Sequence, residues 1–192
     1  PGPGLDKGRG LSQGFETYVE QPVDVKTGRS DLQLEALRTR ASEWLARWHE
    51  ERTEEPFLLF VQLPRVDFER VPPAPFAGMF LDGNAEATPL ERAIARYDEG
   101  MRLADDAVGK LVAQIDAMGV REKTLVVVTS NHGYEFMERG TIGSATSLHD
   151  ETIHIPMIVR FPTRVDAGKV VSEPARLMDV GSTLMMFARV RR

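Results

Sequence analysis

Thr124-Leu125-Val126-Val127-Val128-Thr129-Ser130-Asn131-His132-Gly133 decides the fold of this chain. Six residues of β-branched and aliphatic character run straight into a polar tetrapeptide that ends in glycine. A short continuous apolar run of this kind suits a strand covered on both faces, as in a parallel sheet. In open α/β sheets ligands sit beyond the carboxyl ends of the strands, so Asn131 and His132 arrive where chemistry is expected. An amide oxygen beside an imidazole is a donor pair for a divalent cation, with the amide favouring hard ions such as calcium. The alternative is a structural turn, shaped by Asn131 and Gly133, in which His132 is a satisfied hydrogen-bonding group.

Working back from this stretch, Gly119 closes a long helical pattern. Thr88-Pro89-Leu90-Glu91 supplies an N-cap, a proline at the first helical position and a capping-box glutamate. Leu90, Ile94, Tyr97, Met101, Ala104, Val108, Leu111, Ile115 and Met118 then step by fours and threes, the mark of a helix packed on a sheet. Ahead of it lies a second apolar run, Phe57-Leu58-Leu59-Phe60-Val61-Gln62-Leu63. Strand, helix 89–118 and strand make a right-handed crossover, so 57–63 and 124–129 are expected to be parallel neighbours in one sheet. The proline-containing connection 64–88 is long for a compact domain, and loops of that length tend to be functional.

Further out, Asp31 is expected to cap a helix to about Glu51, with Leu34, Leu37, Ala41, Trp44, Leu45 and Trp48 on one face. The two tryptophans, four residues apart on that face, read as core. Residues 1–30 hold six glycines and read as an irregular lead-in, with a short strand near Tyr18-Val19. Downstream, Ile155-Pro156-Met157-Ile158-Val159-Arg160-Phe161 predicts a third strand, its proline near the start where one is tolerated. Asp179 is expected to cap a last short helix through Leu184, Met185 and Phe187. The reading is α/β, a mainly parallel sheet flanked by helices, as one domain over 1–192.

Composition narrows the partners. In 192 residues, 24 basic side chains face 29 acidic ones, a formal charge of −5. That gives no global attraction to nucleic acid. No apolar run approaches the roughly 20 residues that span a bilayer. There are no cysteines, which excludes disulfides and thiolate metal sites. The chain starts Pro1-Gly2-Pro3-Gly4 rather than with Met, so it is expected to be part of a longer polypeptide.

Several motifs fall in a recognisable order. Thr129 to Gly140 reads Thr-Ser-Asn-His-Gly-Tyr-Glu-Phe-Met-Glu-Arg-Gly, followed by Ser147-Leu148-His149-Asp150-Glu151 and His154-Ile155-Pro156-Met157-Ile158-Val159-Arg160-Phe161-Pro162. Upstream stand Gly10-Leu11 with Gly14-Phe15-Glu16-Thr17-Tyr18, the run 57–63, Pro72-Pro73 with Pro75-Phe76, and Tyr97-Asp98-Glu99 with Ala104-Asp105. Together they resemble the sulfatases of the alkaline-phosphatase-like superfamily, over nearly the whole chain. The resemblance implies an incomplete catalytic domain of that α/β fold. It also implies sulfate esters as substrates, a divalent cation (calcium before magnesium) and a periplasmic or otherwise extracytoplasmic location.

The departures from the family's pattern are as informative. The family's nucleophile, a cysteine or serine matured to formylglycine, and its early metal-binding aspartates lie upstream of this chain, so a missing amino-terminal segment is expected. The resemblance puts Asn131 where a metal aspartate stands and keeps His132, making these two the expected metal residues and leaving no catalytic one. Asp67 falls where a sulfate-contacting histidine would be, and Arg139 replaces the histidine of Glu-His-Gly. A later histidine or lysine falls at Ser144 or Ala145. His149 replaces a tyrosine and His154 is structural. Losing one donor to the developing charge of a transferring group typically costs ~100- to 1,000-fold. Several losses together predict a chain inactive by itself. Three readings follow: a segment of a sulfate-ester hydrolase, a non-catalytic pseudoenzyme or binding module, and a phosphatase- or phosphodiesterase-type relative.

Overall fold

A computed structural model describes residues 7–20, 30–81, 83, 86–144 and 147–189. The chain divides into two compact units, Pro1–Val120 and Arg121–Arg192.

The first unit is built on two helices, α1 (Ser30–Arg52) and α2 (Pro89–Ala117). In α1 the expected face is the buried one, with Leu34, Ala41, Leu45 and Trp48 inside. The side chain of Asp31, expected as the cap, lies outside the described residues. Trp48 and Trp44 both pack on Phe57, with ring centroids 4.5 and 6.0 Å away, so the tryptophans are core contacts. At α2 the capping box forms: the Glu91 amide donates to Thr88 Oγ1 at 3.2 Å and the Thr88 amide to Glu91 Oε2 at 2.7 Å. Gly119, at φ 71°, follows the last turn, a conformation open to glycine at little cost.

The face that α2 buries is the expected one at Ala104, Leu111 and Ile115 and departs from it elsewhere. Ala93, Ala95, Ala104, Ala107, Leu111 and Ile115 are inside together with Glu99, whereas Ile94 and Met101 are exposed. The small alanines let α1 approach closely, and Ser42 and Gln114 tie the pair: Gln114 Nε2 donates to the Ser42 carbonyl at 2.9 Å and Ser42 Oγ to Gln114 Oε1 at 2.5 Å.

The run 57–63 is not a strand. It makes no ladder with any described residue, and Tyr18-Val19 makes none either. Its side chains nevertheless alternate, with Leu58 and Phe60 63% and 70% exposed and their neighbours half-buried. The alternation is that of a strand, and no described residue supplies the second backbone that would satisfy its amides.

In the second unit, β1 (Val126–Thr129) pairs with β4 (Met157–Arg160), and β2 (Glu135–Phe136) with β3 (Ile142–Gly143). Both ladders are antiparallel, with Val126 opposite Arg160 and Thr129 opposite Met157 in the first. The parallel crossover expected between 57–63 and 124–129 therefore has no counterpart among the described ladders. A one-turn helix, α3 (Asp150–Ile153), precedes β4, and α4 (Asp179–Phe187) closes the unit. Asp179 is the first residue of α4 rather than its cap; the carboxylate binds Arg176 instead, with Arg176 Nη2 3.1 Å from Oδ1. No described helix is long and apolar enough to cross a membrane.

Candidate functional site

The strand β1 ends where the chemistry was expected. Thr129 Oγ1 donates to the Pro156 carbonyl at 2.9 Å, fastening the end of β1 to the start of β4. Ser130 Oγ then donates to the His132 carbonyl at 2.7 Å and closes the turn. Asn131 is exposed at its crest and His132 is half-buried. His132 Nδ1 lies 2.9 Å from the Gly133 carbonyl oxygen. A carbonyl only accepts, so Nδ1 carries the proton and Nε2 of the neutral ring keeps its lone pair.

Gly133 sits against α3. Its amide donates to the Thr152 carbonyl at 2.8 Å, and a Cβ at this position would stand 2.1 Å from the Glu151 carbonyl oxygen. Arg139, on the β2–β3 turn, reaches the same helix, with Nε 3.7 Å from Glu151 Oε1. The one turn of α3 thus anchors both the backbone that carries His132 and the side chain of Arg139. Ser144 is half-buried in the same unit, and Ala145 lies outside the described residues. Asp67 belongs to the first unit, where it is buried with Arg65 and Arg70 beside it.

Glu135 was not among the expected site residues, yet it is the fully buried carboxylate of this unit. Ser147 Oγ and Thr141 Oγ1 both donate to it, one to each oxygen. These hydroxyls, Ser147 first, hold its carboxyl below the usual range. Glu135 therefore clamps the 141–147 loop. The sequence alone did not show it, since the two hydroxyls that meet the carboxylate lie six and twelve residues further along the chain.

The carboxylates nearest in sequence to the turn are committed elsewhere. Glu135 is held by the two hydroxyls, and Glu138 accepts from the Phe136 amide. Asn131 Oδ1 and His132 Nε2 remain as two neutral donors. Among the described residues no group of three or more His, Cys, Asp or Glu is placed to hold a metal ion. Hard cations take six or more oxygen ligands, several usually charged. Among the described residues, the two donors at this turn do not by themselves complete such a shell for calcium or magnesium.

This chain belongs to the sulfatase family: the family model, described as Sulfatase, matches residues 4–190. It is 28% identical over 184 residues to the steryl-sulfatase of Rattus norvegicus, covering 90% of this chain and 28% of that protein. It is 24% identical to the N-acetylgalactosamine-6-sulfatase of Canis lupus familiaris, over 89% of this chain and 31% of that protein. Among solved structures it is similar to yidJ of Bacteroides fragilis. There the TM-score is 0.70 at 21% identity, over 82% of this chain and 37% of that one. The fold is thus that of the alkaline-phosphatase-like sulfatases, in incomplete form, as the motifs implied. The chain spans less than a third of the length of the curated relatives named here.

Proposed function

We propose that this chain is part of a sulfatase catalytic domain that contributes the cation-side turn Asn131–His132 and does not hydrolyse sulfate esters by itself. The single observation that carries this reading is the arrangement at the end of β1. His132 Nδ1 is held by the Gly133 carbonyl in one tautomer, while among the described residues no group of three or more ligating side chains gathers with it. In this reading the remaining charged ligands and the nucleophile come from the other part of such a domain, and one partial domain covers 1–192. The exposed apolar edge at Leu58 and Phe60 supports it, because an edge of this kind calls for a covering strand. The cation is calcium before magnesium, given the amide oxygen of Asn131. The substrate class is a sulfate ester, and an extracytoplasmic compartment goes with the same reading.

A specific observation favours a second reading, a pseudoenzyme. Two of the substituted positions are built into ion pairs, Arg139 with Glu151 and Asp67 with Arg65 and Arg70. Such pairing gives these residues structural partners in place of a substrate. Titration calorimetry with calcium tests the first reading. The isolated chain should show no micromolar isotherm. Micromolar binding abolished by Asn131→Ala would mean that this chain alone completes a cation site.

A further inference from the structure

We propose that residues 57–63 are a homodimer interface, in which the run pairs antiparallel with the same run of a second copy of this chain about an axis at Phe60. The inference rests on the first unit alone and stands or falls apart from the cation turn.

One side of the run is already fixed. Phe57 packs on Trp44 and Trp48 of α1, with ring centroids 6.0 and 4.5 Å away, and Leu59, Val61 and Leu63 are half-buried. The other side is open: Leu58, Phe60 and Gln62 alternate with them and are exposed. No described residue pairs with the backbone of 57–63. The segment is therefore held in a strand's alternation while its amides and carbonyls call for another backbone.

The composition of the run narrows what that backbone can be. It holds no charge, no glycine and no proline, while Pro56 and Pro64 stand at its two ends. Uncharged, β-prone runs of this length are those that pair with copies of themselves. The run carries none of the lysines or internal prolines that discourage such pairing. A helix laid on it would cover Leu58 and Phe60 but leave the backbone unmet, whereas a strand meets both.

Self-complementarity selects the second copy and sets the register. With Phe60 opposite its own copy, Leu58 faces Gln62, Leu59 faces Val61 and Phe57 faces Leu63. The two-fold axis repeats each pair on its other side, so the pairing closes at two chains. Pro56 then faces Pro64 and ends the ladder, since neither has an amide to donate. Just beyond, the same register sets Glu55 of one copy against Arg65 of the other, on both sides of the axis. Each has an ion partner in its own chain, Arg52 and Asp67, and each is exposed, at 55% and 57%. Opposite charges across a ladder favour the pair, as does the aromatic pair at Phe60. A parallel pairing in register would instead set Glu55 on Glu55 and Arg65 on Arg65. A covering strand from the rest of a sulfatase domain, as in the proposed function, would take the same edge and exclude the second copy.

Sedimentation equilibrium of the full chain, from about 1 to about 100 μM, tests this over the range of a modest interface. The expected result is a reversible monomer–dimer equilibrium that stops at two chains. Phe60→Glu, which sets like charges face to face on the axis, should weaken the dimer about tenfold or more, with the circular dichroism unchanged. Leu148→Glu, at an exposed apolar side chain of the second unit, should leave it intact. The chain has no cysteine, so introduced ones report the register alone. Phe60→Cys should oxidise to a disulfide-linked dimer, because facing residues come within reach of one. Leu58→Cys should not link to itself but should link to Gln62→Cys when the two are mixed. A monomer throughout the range, growth beyond two chains, association lost in Leu148→Glu but kept in Phe60→Glu, or self-linking of Leu58→Cys overturns the proposal.

Discussion

The Gly133 amide donates to the Thr152 carbonyl at 2.8 Å, and this one contact joins the turn carrying His132 to the backbone of α3. There is no room for a side chain in it, since a Cβ would fall 2.1 Å from the neighbouring Glu151 carbonyl oxygen. Backbone on both sides cannot yield as a flexible side chain would. Gly133→Ala is therefore expected to destabilise the chain by about 3 kcal/mol. Urea denaturation followed by circular dichroism checks this through the midpoint. A shift equivalent to less than about 0.5 kcal/mol, the range of an ordinary surface change, would contradict the packing described.

The clamp at Glu135 makes stability depend on acid. Its folded carboxyl is held low by Ser147 and Thr141, so its contribution is fully present above the ordinary glutamate value of about 4.3. As pH falls through the lowered folded value, that contribution is lost. Thermal melts between pH 7 and pH 3 should fall more steeply for the wild type than for Glu135→Gln, which has no charge to titrate. The variant should start lower at pH 7, because an amide cannot accept from both hydroxyls with two oxygens. Parallel profiles would rule the clamp out.

Two helical glycines in α2 should respond oppositely to alanine. Gly109 has nothing within 4 Å of a built Cβ, so Gly109→Ala gains helix propensity worth up to about 1 kcal/mol. Gly100 faces Val66 Cγ1 at 2.8 Å, and a β-branched side chain has little freedom to move away. Gly100→Ala should forfeit that gain and lower the melting temperature. Equal stabilisation by both substitutions would show that the 64–70 segment does not rest on α2 as described.

How far the sequence carried the fold depends on how local each signal was. Thr88, Pro89, Glu91 and Gly119 bounded α2 within a residue, because caps are made by side chains next to the backbone they satisfy. The same helix was misread at Ile94 and Met101, since periodicity gives a face only within a turn's width and alanine carries little hydrophobic signal. Apolar runs located β1 and β4, but not that they pair antiparallel, because pairing direction is set by residues far apart in the chain. The run 57–63 shows the limit most plainly, having a strand's composition and alternation but no ladder with any described residue. At the site, Asn131 and His132 were legible at the end of a strand. Glu135 was not, because its role depends on two hydroxyls that a turn at Met137 (φ 73°) and Gly140 (φ 82°) brings round.

Hydrolysis of a chromogenic aryl sulfate ester by the isolated chain, with calcium and then magnesium present, tests the central claim most directly. The chain belongs to the sulfatase family, and on the proposed reading its described residues offer Asn131 and His132 as neutral cation donors while the nucleophile comes from the other part of such a domain. It should release no product above the rate in buffer with either cation. Turnover abolished by His132→Ala would contradict the account, because the chain would then hold a complete catalytic site of its own.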